Sequence, residues 1–444
     1  MAIEPGSTSA TGLAPDSTAG QAPLPLASAQ LTPAGRPAAT LAISHIVLIA
    51  LIVGVFSVVW LVVNTQLTRL VWENSFIVSN RWITPVVAMF FALLVGLAQK
   101  YLHAPNVIHE GAPEALEAGD YSGYKSFWGA LCSSFCSLLS GASVGPEGPL
   151  AVLAIDVSEW LAIRLRLPRD ETIPAALAGM SSAYNGIVGS PVFSAVFASE
   201  QPTGKLNQHA LTANLVAGSI GFLLFTLLKV PPFAGTLDLA EQDVLSLVWI
   251  IWAIALGVLG AVIAAYIRFA FQTFGKLMGA FDNQVILRAL IAGAIFGIIG
   301  YLIPDLLFSG EESIHAIMAN PAEVGLAMLL LMALLKPLLL ALASKSGYLG
   351  GPVFPAMFTA VVVGLAISLL APQVPVSILV TCLEVGVVTL MLRAPLTSIL
   401  LVGLVARAGP DLLGLITLSA VTATLVGRGF QTMMAQRTAN KAPV

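Results

Sequence analysis

Apolar segments follow one another along the chain, at about 42–63, 82–101, 127–143, 150–163, 173–199, 208–229, 244–271, 286–303, 324–343, 353–371, 376–392, 396–406 and 412–427. Crossing the hydrocarbon core of a bilayer takes about 20 such residues in a helix. Some segments reach that length, while others are too short or are cut by glycine and proline. Backbone groups freed by such breaks cannot face lipid; they must be buried in protein or line a polar cavity. The pattern therefore predicts an all-α integral membrane protein, multi-pass in the cell membrane, with the broken helices of a transporter or channel. Charge agrees. The 444 residues include only 20 Lys and Arg and 23 Asp and Glu, too few to coat a soluble domain of this size. The net charge of −3 and the lack of any basic block argue against nucleic acid as a partner.

Residues 1–41 are rich in Ala, Pro, Ser, Thr and Gly and read as a disordered N-terminal tail. The membrane domain is expected over 42–430, with a short polar C-terminal tail at 431–444. Loop charges do not set the topology: Arg164, Arg166 and Arg169 cluster, but Asp170 and Glu171 follow directly. Trp60, Trp72, Trp82, Trp128 and Trp160 lie near segment ends, where interfacial anchors belong. Cys132, Cys136 and Cys382 lack the histidines or further cysteines of a zinc site and read as packing residues.

The chain repeats itself. SGASVGPEGP at 140–149 and SGYLGGPVFP at 346–355 both fit S-G-x-x-x-G-P-x-x-P, each between two apolar runs. Downstream, SPVFSAVF at 190–197 is echoed by APLTSILL at 394–401. Two halves, about 42–230 and 244–430, thus carry broken elements at corresponding places, the strongest sequence pointer to a site at a repeat interface. Proline suits the first turn of a helix and glycine the tight turn before it, so both copies read as loops feeding helix N-termini. Such an end carries free N–H groups and about half a positive charge. Two of them aimed at one point make an anion site without a fixed cation, one that releases as well as binds. Glu147, the acid in the first copy, would sit among those N–H groups, block the site when ionised and swing away when protonated.

These features together resemble the CLC family of chloride channels and proton-coupled chloride antiporters. GPEGP at 145–149 is similar to the family's G-[KR]-E-G-P motif, and GPVFP at 351–355 stands in the place of G-x-F-x-P. RAPLT at 393–397 matches a following stretch at the family's spacing, and Lys336 lies where the family often has a basic residue. The likeness runs from about residue 42 to 430. It implies a CLC-type fold of two inverted repeats with broken and re-entrant helices, assembled as a homodimer in the lipid bilayer. Chloride or a similar small anion is the implied cargo. Glu147 becomes the gating and proton-binding residue, and Asn106, Gly145, Gly148, Gly351, Val353 and Phe354 line the anion path. No cofactor, metal or enzymatic activity is implied.

Departures from the family pattern carry information too. PNVIHE at 105–110 matches the family's G-S-G-I-P-E only loosely, with Asn106 where the anion-coordinating Ser usually stands. Pro146 replaces a Lys or Arg, and Pro352 and Val353 replace x-Phe, so fewer backbone donors remain for the anion. On the possible inner proton path, Glu200 and Gln201 fall on the family's paired acids, and the position usually held by an inner Glu is Gln201. The family's late pore tyrosine is missing, since the last Tyr is Tyr348. These losses lean toward a channel-like or uncoupled conductor, with a proton/chloride antiporter as the alternative. A secondary transporter of another small solute would call for several buried acids, and Glu384 is the one clear candidate besides Glu147 and Glu200. GEESIH at 310–315 gathers Glu311, Glu312 and His315, and reads as a polar helix start capped by Ser309 or Asp305 rather than a metal site.

Overall fold

The computed structural model describes residues 41–105, 126–200, 204–237, 239 and 245–439. These are built from helices: α1 (Ile43–Trp72), α2 (Thr84–Tyr101), α3 (Phe127–Leu139), α4 (Glu147–Arg164), α5 (Arg169–Ala183), α6 (Pro191–Glu200) and α7 (Gln208–Leu227) come first. Then follow α8 (Leu247–Gly279), α9 (Val285–Leu302), α10 (Glu311–Ala319), α11 (Leu326–Lys345), α12 (Val353–Leu370), α13 (Val376–Leu392), α14 (Pro395–Val405) and α15 (Pro410–Ala439). Among the described residues, eight helices are long and apolar enough to cross a membrane: α1, α2, α7, α8, α9, α11, α12 and α15. Leu70, Leu227 and Leu247 are each exposed, as suits chains whose solvent is lipid. α12 and α13 are buried along most of their length, at the centre of the helix assembly.

The two repeated motifs each stop one helix and start another. α3 ends at Leu139 and α11 at Lys345, and the glycine two residues on, Gly141 or Gly347, is left-handed, with φ of 75° and 91°. That conformation closes a helix and suits a residue without Cβ. The Gly-Pro that follows opens the next helix, with Pro146 and Pro352 as N-caps of α4 and α12. Pro149 and Pro355 fall in the first turn, where an N–H has no partner within the helix to lose. Between the motifs, Gly145 donates to Gly351 O at 2.8 Å and Gly351 donates back to Gly145 O at 2.7 Å. Equivalent residues bonded reciprocally and antiparallel relate the two motifs by a local two-fold axis.

Some details differ from the sequence reading. The apolar stretch 173–199 is divided into α5 and α6, because Gly189 turns left-handed (φ 69°) before Ser190 and Pro191. Trp60 is no interfacial anchor. α1 runs on to Trp72, which leaves Trp60 in mid-helix, buried, with its Nε1 3.3 Å from Ser134 Oγ. Trp82, Trp128 and Trp160 are exposed as anchors would be. The N-cap of α10 is Gly310, left-handed at φ 91°, and neither Ser309 nor Asp305 caps it through its side chain.

Candidate functional site

Glu147 is the first residue of α4, yet its carboxylate reaches across to the start of α12. Oε1 accepts from Val353 N at 2.8 Å, and the Phe354 N–H also bonds the carboxyl. The side chain is 5% exposed, and Oε2 has no hydrogen-bond partner. An acid from one motif therefore sits where the helix N-terminus of the other would hold a small anion.

Gly145 and Gly351, expected to line the anion path, do something else with their N–H groups. Each is spent on the other, so neither can donate to an anion. What they supply is space: a Cβ on either would overlap the Glu147 carboxyl group. Val353 and Phe354 are the two path residues whose amides reach the site, and Gly148 is buried in the first turn of α4. Pro146 and Pro352 do remove donors, but at cap positions, leaving the Val353 and Phe354 amides of α12 intact. Asn106 and Gln201 lie outside the described residues.

Glu200 ends α6 and is buried at the start of α14. Its carboxylate accepts from Leu396 N (3.1 Å), Thr397 N (2.7 Å) and Thr397 Oγ1 (2.8 Å). It thereby satisfies the first-turn amides of the RAPLT helix, a link between segments 196 and 197 residues apart. Lys336 is wholly buried, its Nζ donating to the carbonyls of Leu306 (3.1 Å), Leu307 (3.3 Å) and Phe308 (2.8 Å) and lying over the Phe358 ring. Those bonds tie the loop to α11. Glu384 is buried in α13 with neither carboxyl oxygen hydrogen-bonded.

Sequence reasoning missed Tyr184. Its hydroxyl donates to the Glu147 carbonyl at 2.8 Å, and its ring stacks on Phe197 at 4.1 Å. A lone tyrosine at the end of an apolar helix carries no motif, so nothing in the sequence marks it. Tyr348, the last tyrosine, sits in the loop between α11 and α12 and bonds Ala289 O of α9 at 2.8 Å.

A family model described as voltage gated chloride channel matches residues 92–428. The chain belongs to that family, the CLC proteins. Among its relatives, YfeO of Shigella boydii serotype 4 (strain Sb227) is 26% identical over 371 residues, covering 82% of this chain and 86% of the relative. YfeO of Escherichia coli O9:H4 (strain HS) matches with the same identity and coverage. Two solved structures share the fold. One is a CLC-type fluoride/proton antiporter, with TM-score 0.74 and 16% identity, covering 87% of this chain and 95% of the other. The second is a slow cyanobacterial Cl−/H+ antiporter, with TM-score 0.72 and 18% identity, covering 90% and 99%. This CLC protein is thus a multi-pass membrane protein of an anion-transporting family, with the CLC fold of inverted repeats and broken helices.

Proposed function

We propose that this CLC protein moves chloride or a similarly small anion across the cell membrane through a path gated by Glu147, as a channel-like or uncoupled conductor. The observation that carries it is the Glu147 carboxylate bonded to Val353 N at 2.8 Å, at the N-terminus where an anion would be held. Ionised, the side chain competes with the anion for those amides. Protonated, it loses its charge-assisted bond and leaves the path open. Conduction therefore rises as pH falls.

The test is anion efflux from proteoliposomes at several pH values. Glu147→Gln and Glu147→Ala should conduct at a rate that no longer varies with pH, near the low-pH rate of the parent. Parent-like pH dependence in both variants would rule the gate out.

Coupled exchange with protons is the second reading. Its support is the kinship in fold with two proteins described as proton antiporters. Against it stand Gln201 in the place of an inner acid, and Glu200, whose carboxylate is engaged by three donors at the start of α14.

A further inference from the structure

Next to the start of α4 lies a cavity of about 80 Å³, with Pro146 and Phe233 among the residues that line it. Pro146 is the residue before Glu147, and the Phe233 ring packs edge-on against Phe354 at 5.0 Å. Two acids from the start of α10, Glu311 and Glu312, line the same space, along with Asn64 and Thr68 of α1. The acids are graded by depth, Glu312 exposed and Glu311 half-buried. Glu311 is built in: its Oε1 accepts from Gly235 N at 2.8 Å.

A second, independent observation points to something that binds here. Asn64 is 8% exposed and lines the cavity, yet its Oδ1 has no hydrogen-bond partner. A buried amide oxygen without a donor is destabilising unless something supplies one. An O–H donor inside the cavity, from a protonated carboxyl or a water, supplies what Asn64 lacks, and about 80 Å³ of polar space holds a few waters.

The functions assigned so far use none of these groups. We propose that Glu312, Glu311 and Asn64 form the proton-loading site of the Glu147 gate, so that protons reach the gate from the aqueous face onto which this cavity opens. This rests on the reading of Glu147 as gate and names the route by which that gate is protonated. The step balances simply. The O–H bond of a protonated Glu311 breaks, a new O–H forms on the Glu147 carboxylate through intervening water, and Glu311 is reprotonated from bulk through Glu312.

Surrounding charges favour such a role. Burial pushes the Glu311 carboxyl above the ordinary carboxylate range, opposed by the Gly235 N–H and by His315, while Glu312 raises it further. A carboxyl raised in this way exchanges protons closer to neutral pH than a free one. Among the described residues, the charged groups nearby include Asp305, which interacts with Lys336 at the loop that lines the cavity. On α1, Arg69 pairs with Glu73 at 3.7 Å on the exposed side. On α11, Lys336 is turned into the carbonyls of Leu306, Leu307 and Phe308.

The experiment measures anion flux in proteoliposomes while pH is stepped on one face at a time. It uses the parent, Glu311→Gln, Glu312→Gln, the double variant, Glu311→Asp and Glu147→Gln. Parent flux should respond to pH on one face far more than on the other. Loss of two negative charges beside the gate disfavours its protonation. The double variant should therefore need about one pH unit more acid for half-maximal flux, a tenfold fall in proton occupancy. Its plateau at low pH should be unchanged, which also reports correct folding, and Glu311→Asp should restore the parent midpoint. A double variant that titrates like the parent on both faces, while Glu147→Gln has lost its pH response, would overturn the loading site and leave the gate standing. A Glu147→Gln variant that still titrates, with midpoints moved by the cavity substitutions, would overturn both the gate and its loading route.

Discussion

At Gly351 the backbone is in an ordinary conformation, so only space demands glycine there. The three atoms that an added Cβ would meet all belong to the Glu147 side chain, and the same is true at Gly145. Gly351→Ala should therefore act on the gate specifically. The methyl group displaces the carboxylate from Val353 N and raises flux at neutral pH toward the low-pH level. Overpacking of this kind costs about 1–3 kcal/mol, and trimming the partner to Glu147→Ala should return most of it. A double-mutant cycle on thermal stability, run beside flux at neutral pH, checks both parts. Additive stability losses in the Gly351→Ala, Glu147→Ala pair would mean that the clash lies elsewhere. This level of detail was only half legible in the sequence. The Gly-Pro motifs gave the position of Glu147 and its acidic asymmetry, but whether a glycine donates its N–H or yields its space depends on the partner strand, which the one-dimensional pattern does not contain.

Helix ends were the most readable elements. Ser-Gly stops and Gly-Pro starts rest on local backbone chemistry, and α3, α4, α11 and α12 begin and end where those residues require. Tertiary bonds were not readable, and α14 is the clearest case. RAPLT marks a helix start, but its N-cap function is supplied by Glu200 from α6, far away in sequence. Removing that acceptor leaves buried first-turn amides unsatisfied, at about 1–3 kcal/mol. Glu200→Ala should lower the melting temperature in detergent, Glu200→Gln should lower it less by keeping one oxygen acceptor, and neither should move the pH midpoint of anion flux. A shifted midpoint with unchanged melting would instead make Glu200 part of the proton route.

For the molecule as a whole, the reciprocal bonds between Gly145 and Gly351 bring two helix starts together, yet only the first copy contributes an acid. The paired motifs are therefore pseudo-symmetric in backbone and asymmetric in charge: α12 offers amides to a carboxylate that α4 provides. Coupled exchange needs a proton route on each side of that carboxylate. One side has the cavity with Glu311 and Glu312. Elsewhere around the carboxylate, Glu200 is a helix cap, Tyr184 bonds the Glu147 carbonyl, and the Tyr184 ring stacks on Phe197, which puts apolar surface next to Glu147. A gate reached by protons from one side opens and closes without carrying them across. Proteoliposomes holding a steep chloride gradient should then release chloride with no stoichiometric uphill movement of protons, recorded together by a chloride electrode and a pH electrode. Proton movement in fixed ratio to chloride, abolished by Glu147→Ala, would instead establish antiport and require a second proton route that does not run through the cap at Glu200.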